Sequence, residues 1–128
     1  MPKRSTVVKP KKVADWAELR PQVTRKLLSE ITHRIVDEFR PQRVVLFGSY
    51  AGGSPDIHSD LDLLVVMNTR QPIAKRIENV SRAARVPFLP MDVLVHTPAE
   101  VIKRLKNGDP FLLDVLSRGK VLYQREPD

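Results

Sequence analysis

Three aspartates stand in positions where a charge is costly. Asp60 and Asp62 are two residues apart at the head of the apolar run ending at Met67, and Asp92 sits inside Met91-Asp92-Val93-Leu94-Val95. If both runs are strands, the two-residue spacing sends Asp60 and Asp62 out of one sheet face. A carboxylate in an apolar strand needs a compensating charge. A hard cation such as Mg²⁺ supplies one, taking oxygen ligands while keeping positions open for phosphate oxygens and water. Two carboxylates on one strand and a third from a neighbour suit a pair of ions about 3.5–4 Å apart. The same residues also read as plain structure: solvated strand ends for Asp60 and Asp62, a salt bridge for Asp92.

A second constellation precedes the first. Gly48-Ser49 follows the β-branched run Arg43–Phe47 directly. A strand-to-helix turn of this kind aims backbone N–H groups at an anion, and the Ser49 hydroxyl adds a donor. Gly52 and Gly53 let backbone approach a ligand closely. A phosphate cradle followed by carboxylates on the next strand is what a nucleoside triphosphate bound through metal requires. A tight turn is the simpler reading of Gly-Ser alone.

The elements that must position these residues follow from periodicity. Val23, Leu27, Ile31, Ile35 and Phe39 recur every four residues, predicting a helix over 22–39 that Arg40-Pro41 ends. Strands are predicted at 43–47, 60–67, 91–95 and 121–123, with 50–55 a loop or short helix start. In the second strand Leu61, Leu63 and Val65 face one way, and Asp60, Asp62, Leu64 and Val66 the other. Pro72 opens a helix with Ile73, Ile77, Val80 and Ala84 as its stripe. Thr97-Pro98-Ala99-Glu100 is a capping box. Its helix ends at Asn107-Gly108, and another runs from Asp109-Pro110 to near Gly119. The expected fold class is α/β (α+β): a small mixed sheet of about four strands with helices packed on it.

Composition narrows the function. The chain of 128 residues has a net charge of +7, and Lys3, Arg4, Lys9, Lys11 and Lys12 supply five of those charges within the first twelve residues. The basicity is therefore that of an arm. Residues 1–21 are expected to form a basic, largely disordered N-terminal arm, a possible contact for nucleic acid, and 22–125 the folded domain. There are no cysteines and only three scattered histidines, so thiolate chemistry and a zinc pattern are absent. No apolar run approaches the length of a transmembrane helix, and no secretory signal opens the chain; no membrane contact and a cytoplasmic location are expected.

The segment Val44-Val45-Leu46-Phe47-Gly48-Ser49-Tyr50-Ala51-Gly52-Gly53, then ten residues from Gly-Ser to Asp-x-Asp, then Asp60-Leu61-Asp62-Leu63-Leu64-Val65, resembles the signature of the minimal nucleotidyltransferases. These belong to the DNA polymerase β-like nucleotidyltransferase superfamily. The resemblance spans about residues 25 to 124. It implies a polymerase β palm-like fold, Asp60, Asp62 and Asp92 as catalytic carboxylates and ligands of two Mg²⁺ ions, and Gly48, Ser49, Gly52 and Gly53 at the nucleotide. It departs at Gly52, where many relatives carry arginine, so one cation for the triphosphate is missing there. The resemblance further implies transfer of AMP from ATP to a hydroxyl, with tyrosine of a HEPN-domain toxin as acceptor and this chain as antitoxin. Two other readings are a nucleotide-binding antitoxin that acts by contact alone, and a nucleic-acid-binding module driven by the basic arm.

Overall fold

The computed structural model describes residues 16–127. The stripe predicted over 22–39 forms α1 (Arg25–Phe39). It starts inside the stripe because Thr24 caps it: the Thr24 hydroxyl accepts the Leu27 N–H at 3.1 Å. Arg40, at φ 47°, closes the helix ahead of Pro41, which offers no N–H to continue it. Ile31 and Ile35 on this stripe are completely buried.

Four strands follow, β1 (Arg43–Phe47), β2 (Leu61–Val66), β3 (Met91–His96) and β4 (Lys120–Gln124), in the spatial order β3-β2-β1-β4. β1 is antiparallel to both β2 and β4, while β2 and β3 are parallel. The sheet is thus mixed, as expected. Helices α2 (Gly48–Gly52), α3 (Ile73–Ala84), α4 (Pro98–Lys106) and α5 (Pro110–Arg118) fill the connections.

The alternation in the strands decides the layers. Val44, Leu46, Leu61, Leu63, Val65, Val93 and Val95 pack with Ile31, Ile35, Val80 and Ala84, so α1 and α3 cover one face. Val45, Phe47, Leu64 and Val66 pack with Leu112 and Val115 of α5, with Val101 of α4 beside them. Asp62 has the parity of Leu64 and Val66 and therefore emerges on the α5 face. That face is where a cleft forms.

Two contacts fix α5 and α4. Gly119 ends α5 against β1: a Cβ there would meet the Val115 carbonyl oxygen at 2.4 Å and Val45 Cγ1 at 2.6 Å. The capping box of α4 is present, and Glu100 Oε1 accepts both the Thr97 N–H at 2.7 Å and Arg76 Nη1 of α3 at 2.6 Å. Of the arm expected over 1–21, residues 1–15, which carry the basic cluster and its nucleic-acid contact, lie outside the described residues. Trp16–Leu19 form a 3-10 turn. No helix among the described residues is long and apolar enough to cross a membrane.

Candidate active site

The site is assembled by strand direction. Because β2 and β3 run parallel, their N-terminal ends lie at the same edge of the sheet, and the register places Asp62 beside Asp92. Because β1 runs the other way, its C-terminal end reaches that edge too, with Phe47 beside Asp62. Gly48 is the next residue. Its φ is +72°, and a Cβ would sit 2.1 Å from Asp62 Oδ2. The Asp62 carboxylate therefore rests directly on the Gly48 backbone, in a place where any side chain would collide.

A cleft of about 500 Å³ opens at this edge. Asp62 and Asp92 lie along its sheet side, Gly48 and Gly52 along α2, and Phe111, Asp114 and Arg118 along α5. Phe111 meets Phe47 edge to face, with ring centroids 5.9 Å apart and planes at 84°. The Asp62 carboxyl is pushed up from 3.8 to about 6, first by burial and then by the negative charges of Asp92 and Asp60. Two aspartates thus act unfavourably on the carboxyl of the third.

The sequence-predicted residues are brought together unevenly. Asp62, Asp92, Gly48 and Gly52 share the cleft. Asp60 is exposed and stands one residue ahead of β2, outside the lining, reaching Asp62 through its field. Ser49 and Gly53 are exposed on α2 and its C-cap and do not line the cleft. The loop before Asp60 is nonetheless held in place. Arg20 donates from its two terminal guanidinium nitrogens to the Ile57 and Ser59 carbonyls. Asp56 Oδ1 accepts the His58 N–H at 2.7 Å, and the Asp56 N–H donates to Ser59 Oγ at 2.9 Å.

Among the described residues no three His, Cys, Asp or Glu side chains close into a ready-made metal cluster. The donor set still fits Mg²⁺, which is usually held by one or two carboxylates completed by substrate phosphates and water. Asp62 and Asp92 supply that pair from one register position, and the raised Asp62 carboxyl is the charge conflict that such a cation relieves.

Sequence reasoning missed the α5 wall. Phe111, Asp114 and Arg118 recur at three and four residues, a helical stripe beside the buried Leu112 and Val115. That spacing was the available signal. It points nowhere until α5 is known to lie over Asp62.

Residues 29–128 match the family described as Polymerase beta, Nucleotidyltransferase. No curated protein matches the chain. A solved structure of similar fold is that of a "putative nucleotidyltransferase" from Sulfolobus solfataricus. It is 25% identical, the match covers 78% of this chain and 79% of that one, and the TM-score is 0.56. With that match over most of its length, and with a mixed four-stranded sheet carrying the Gly-Ser turn ahead of its aspartates, the chain belongs to the polymerase β nucleotidyltransferase family.

Proposed function

We propose that this nucleotidyltransferase moves AMP from ATP to a tyrosine hydroxyl of a partner protein, as the antitoxin of a HEPN-type toxin–antitoxin pair. The observation that carries the transfer reaction is the side-by-side placement of Asp62 and Asp92 on the cleft floor, against the bare backbone of Gly48. Asp62 and Asp92, with Asp60 close by, would hold Mg²⁺, which when bound neutralises phosphate charge and acidifies the attacking hydroxyl.

The chain's own groups do the rest. Gly48 leaves room for the Asp62 carboxylate against its backbone, beside N–H groups of the first turn of α2 that have no partner within the helix and can meet a phosphate. Asp92 is exposed at the cleft and takes the proton of the acceptor hydroxyl. The hydroxyl oxygen then bonds to the α-phosphorus, the bond from that phosphorus to the bridging oxygen breaks, and pyrophosphate leaves with the electron pair. Catalysis is positioning and charge stabilisation.

Two features support a macromolecular acceptor. Among the described residues no second lobe covers the cleft: beyond the Trp16–Leu19 turn and α2, the elements are the sheet and the helices packed on its two faces. A shallow site of this kind suits a phenol, which stands on a long rigid side chain and is more acidic than a serine hydroxyl. The antitoxin role and the HEPN partner rest on the resemblance of the Gly48-Ser49 and Asp60-x-Asp62 motif to the minimal nucleotidyltransferases.

The test is the intact mass of a HEPN-domain partner after incubation with this protein, ATP and Mg²⁺. The expected result is a gain of one AMP per modified tyrosine, lost in the Asp60→Asn/Asp62→Asn double variant. A partner that is inhibited by stoichiometric binding yet keeps its mass refutes transfer and supports neutralisation by contact.

A further inference from the structure

We infer that Arg118 is the triphosphate-binding residue of this cleft, held ready by Asp114 and handed over to the phosphates when the nucleotide enters. The inference rests on the nucleotidyltransferase reading above and adds to it the residue that receives the leaving group. The cleft has an obvious charge problem. Asp62, Asp92 and Asp114 line it, and a nucleoside triphosphate brings several more negative charges. Among the described residues lining it, Arg118 is the one cation.

The present partner of Arg118 is weak. Its Nε lies 3.1 Å from Asp114 Oδ1, one helical turn back, and the two side chains are 85% and 60% exposed. Exposed pairs of this spacing hold only weakly. A phosphate accepts two parallel N–H bonds from a guanidinium and outcompetes such a carboxylate. Asp114 therefore parks Arg118 without trapping it.

Placement assigns the phosphates. The carboxylates on β2 and β3 form the floor, where the α-phosphorus must lie for its acceptor to lose a proton to Asp92. The rest of the triphosphate extends away from the floor, and Arg118 lies along the α5 wall. As the bond between the α-phosphorus and the bridging oxygen breaks, its electrons pass to pyrophosphate, and a guanidinium there stabilises the charge that grows. The wall along α2 has space for a substitute. Nothing lies within 4 Å of a Cβ built on Gly52, which lines the same cleft.

The experiment compares equilibrium binding of ATP and AMP, each with Mg²⁺, to the wild type, Arg118→Gln and Gly52→Arg/Arg118→Gln. Arg118 is exposed, so the melting temperature of Arg118→Gln should match the wild type. The expected result is ATP affinity about tenfold or more lower in Arg118→Gln, AMP affinity unchanged, and ATP affinity largely restored by the added Gly52→Arg. Equal ATP binding by wild type and Arg118→Gln overturns the role of Arg118 while leaving the nucleotidyltransferase reading intact. A parallel loss of AMP binding also overturns it, since the residue would then be shaping the cleft rather than gripping the distal phosphates. A wild type that binds neither nucleotide overturns the nucleotidyltransferase reading itself.

Discussion

Replacing Asp62 with asparagine should make the metal-free protein more stable at neutral pH. The folded Asp62 carboxyl lies at about 6 against 3.8 for the free side chain, so the folded state binds its proton more tightly. Between those values the unfolded chain has released a proton that the folded one still holds. Stability therefore falls as pH rises through that window, and the full penalty is present above it. The shift has a ceiling of about 3 kcal/mol. Asp62 faces an open cleft, where solvent screening brings this to about 1–2 kcal/mol, or roughly 3–8 °C in melting temperature for a chain of this size. Asparagine keeps the shape against Gly48 and removes the charge. Urea or thermal unfolding in EDTA, at pH 4 and at pH 7.5, measures the difference. Asp62→Asn should gain stability over the wild type at pH 7.5 and lose that advantage at pH 4. Subtracting the two proteins isolates this carboxyl together with its coupling to Asp92 and Asp60. A variant that is equal or weaker at pH 7.5, or one whose advantage persists unchanged at pH 4, refutes the argument that crowded carboxylates oppose folding here. Mg²⁺ with ATP should then raise the melting temperature of the wild type and leave that of Asp62→Asn nearly still.

Three further outcomes are expected. Gly48→Ala forces a Cβ onto Asp62 Oδ2 at a φ of +72°; it should cost about 2–3 kcal/mol in a denaturation series and lower nucleotide affinity with it. Glu100→Ala removes a helix cap and leaves Arg76, whose side chain is 9% exposed, without its carboxylate; a loss of about 3–4 kcal/mol is expected, and a cost below 1 kcal/mol would show the pair to be dispensable. His96 is held below its ordinary 6.5, first by burial and then by Arg104, with Arg76 adding and Glu100 and Asp109 opposing, and its Nδ1 is buried without a hydrogen bond. The unfolded chain takes up that proton first as pH falls below 6.5, so this residue weakens the fold on acidification, and His96→Leu should flatten that part of the stability profile.

Much of this architecture was legible before any coordinate. β1 is legible at its observed bounds because four consecutive apolar residues, Val44 to Phe47, follow Arg43 between Pro41 and Gly48. The face assignment in β2 followed from the pleat alone and put Asp62 on the correct side. The start of α1 is not legible in the stripe, since Val23 carries it and only the hydrogen bond of Thr24 reveals where the helix begins. The full length of β4 is hidden because Lys120 and Gln124 are polar ends of an exposed edge strand, with a bulge between Val44 and Val45 of its partner. In the site, residues whose type breaks a pattern were found: two carboxylates in apolar strands and a glycine at a strand end. Arg118 and Phe111 break no pattern, being ordinary residues on the outer side of an amphipathic helix. Their relation to Asp62 arises only when α5 packs over β1 and β2, a contact between segments that local spacing does not encode.

The mixed direction of the sheet has a consequence for the order of folding. β1 and β2 are neighbours in sequence and close over a short connection, but β2 reaches β3 only through α3, and β4 returns to β1 from the far end of the chain, with α5 seated on the way. Each of these closures costs chain entropy before contacts repay it. The cleft needs them all: one brings Asp92 to Asp62, the other brings Arg118 across from both. A partly folded chain therefore keeps its carboxylates apart and has no cleft, and the electrostatic conflict at Asp62 is felt only in the last steps of assembly. Nucleotide capture becomes a readout of completed folding, and a ligand present during refolding acts late, slowing the unfolding of the finished molecule rather than speeding its formation.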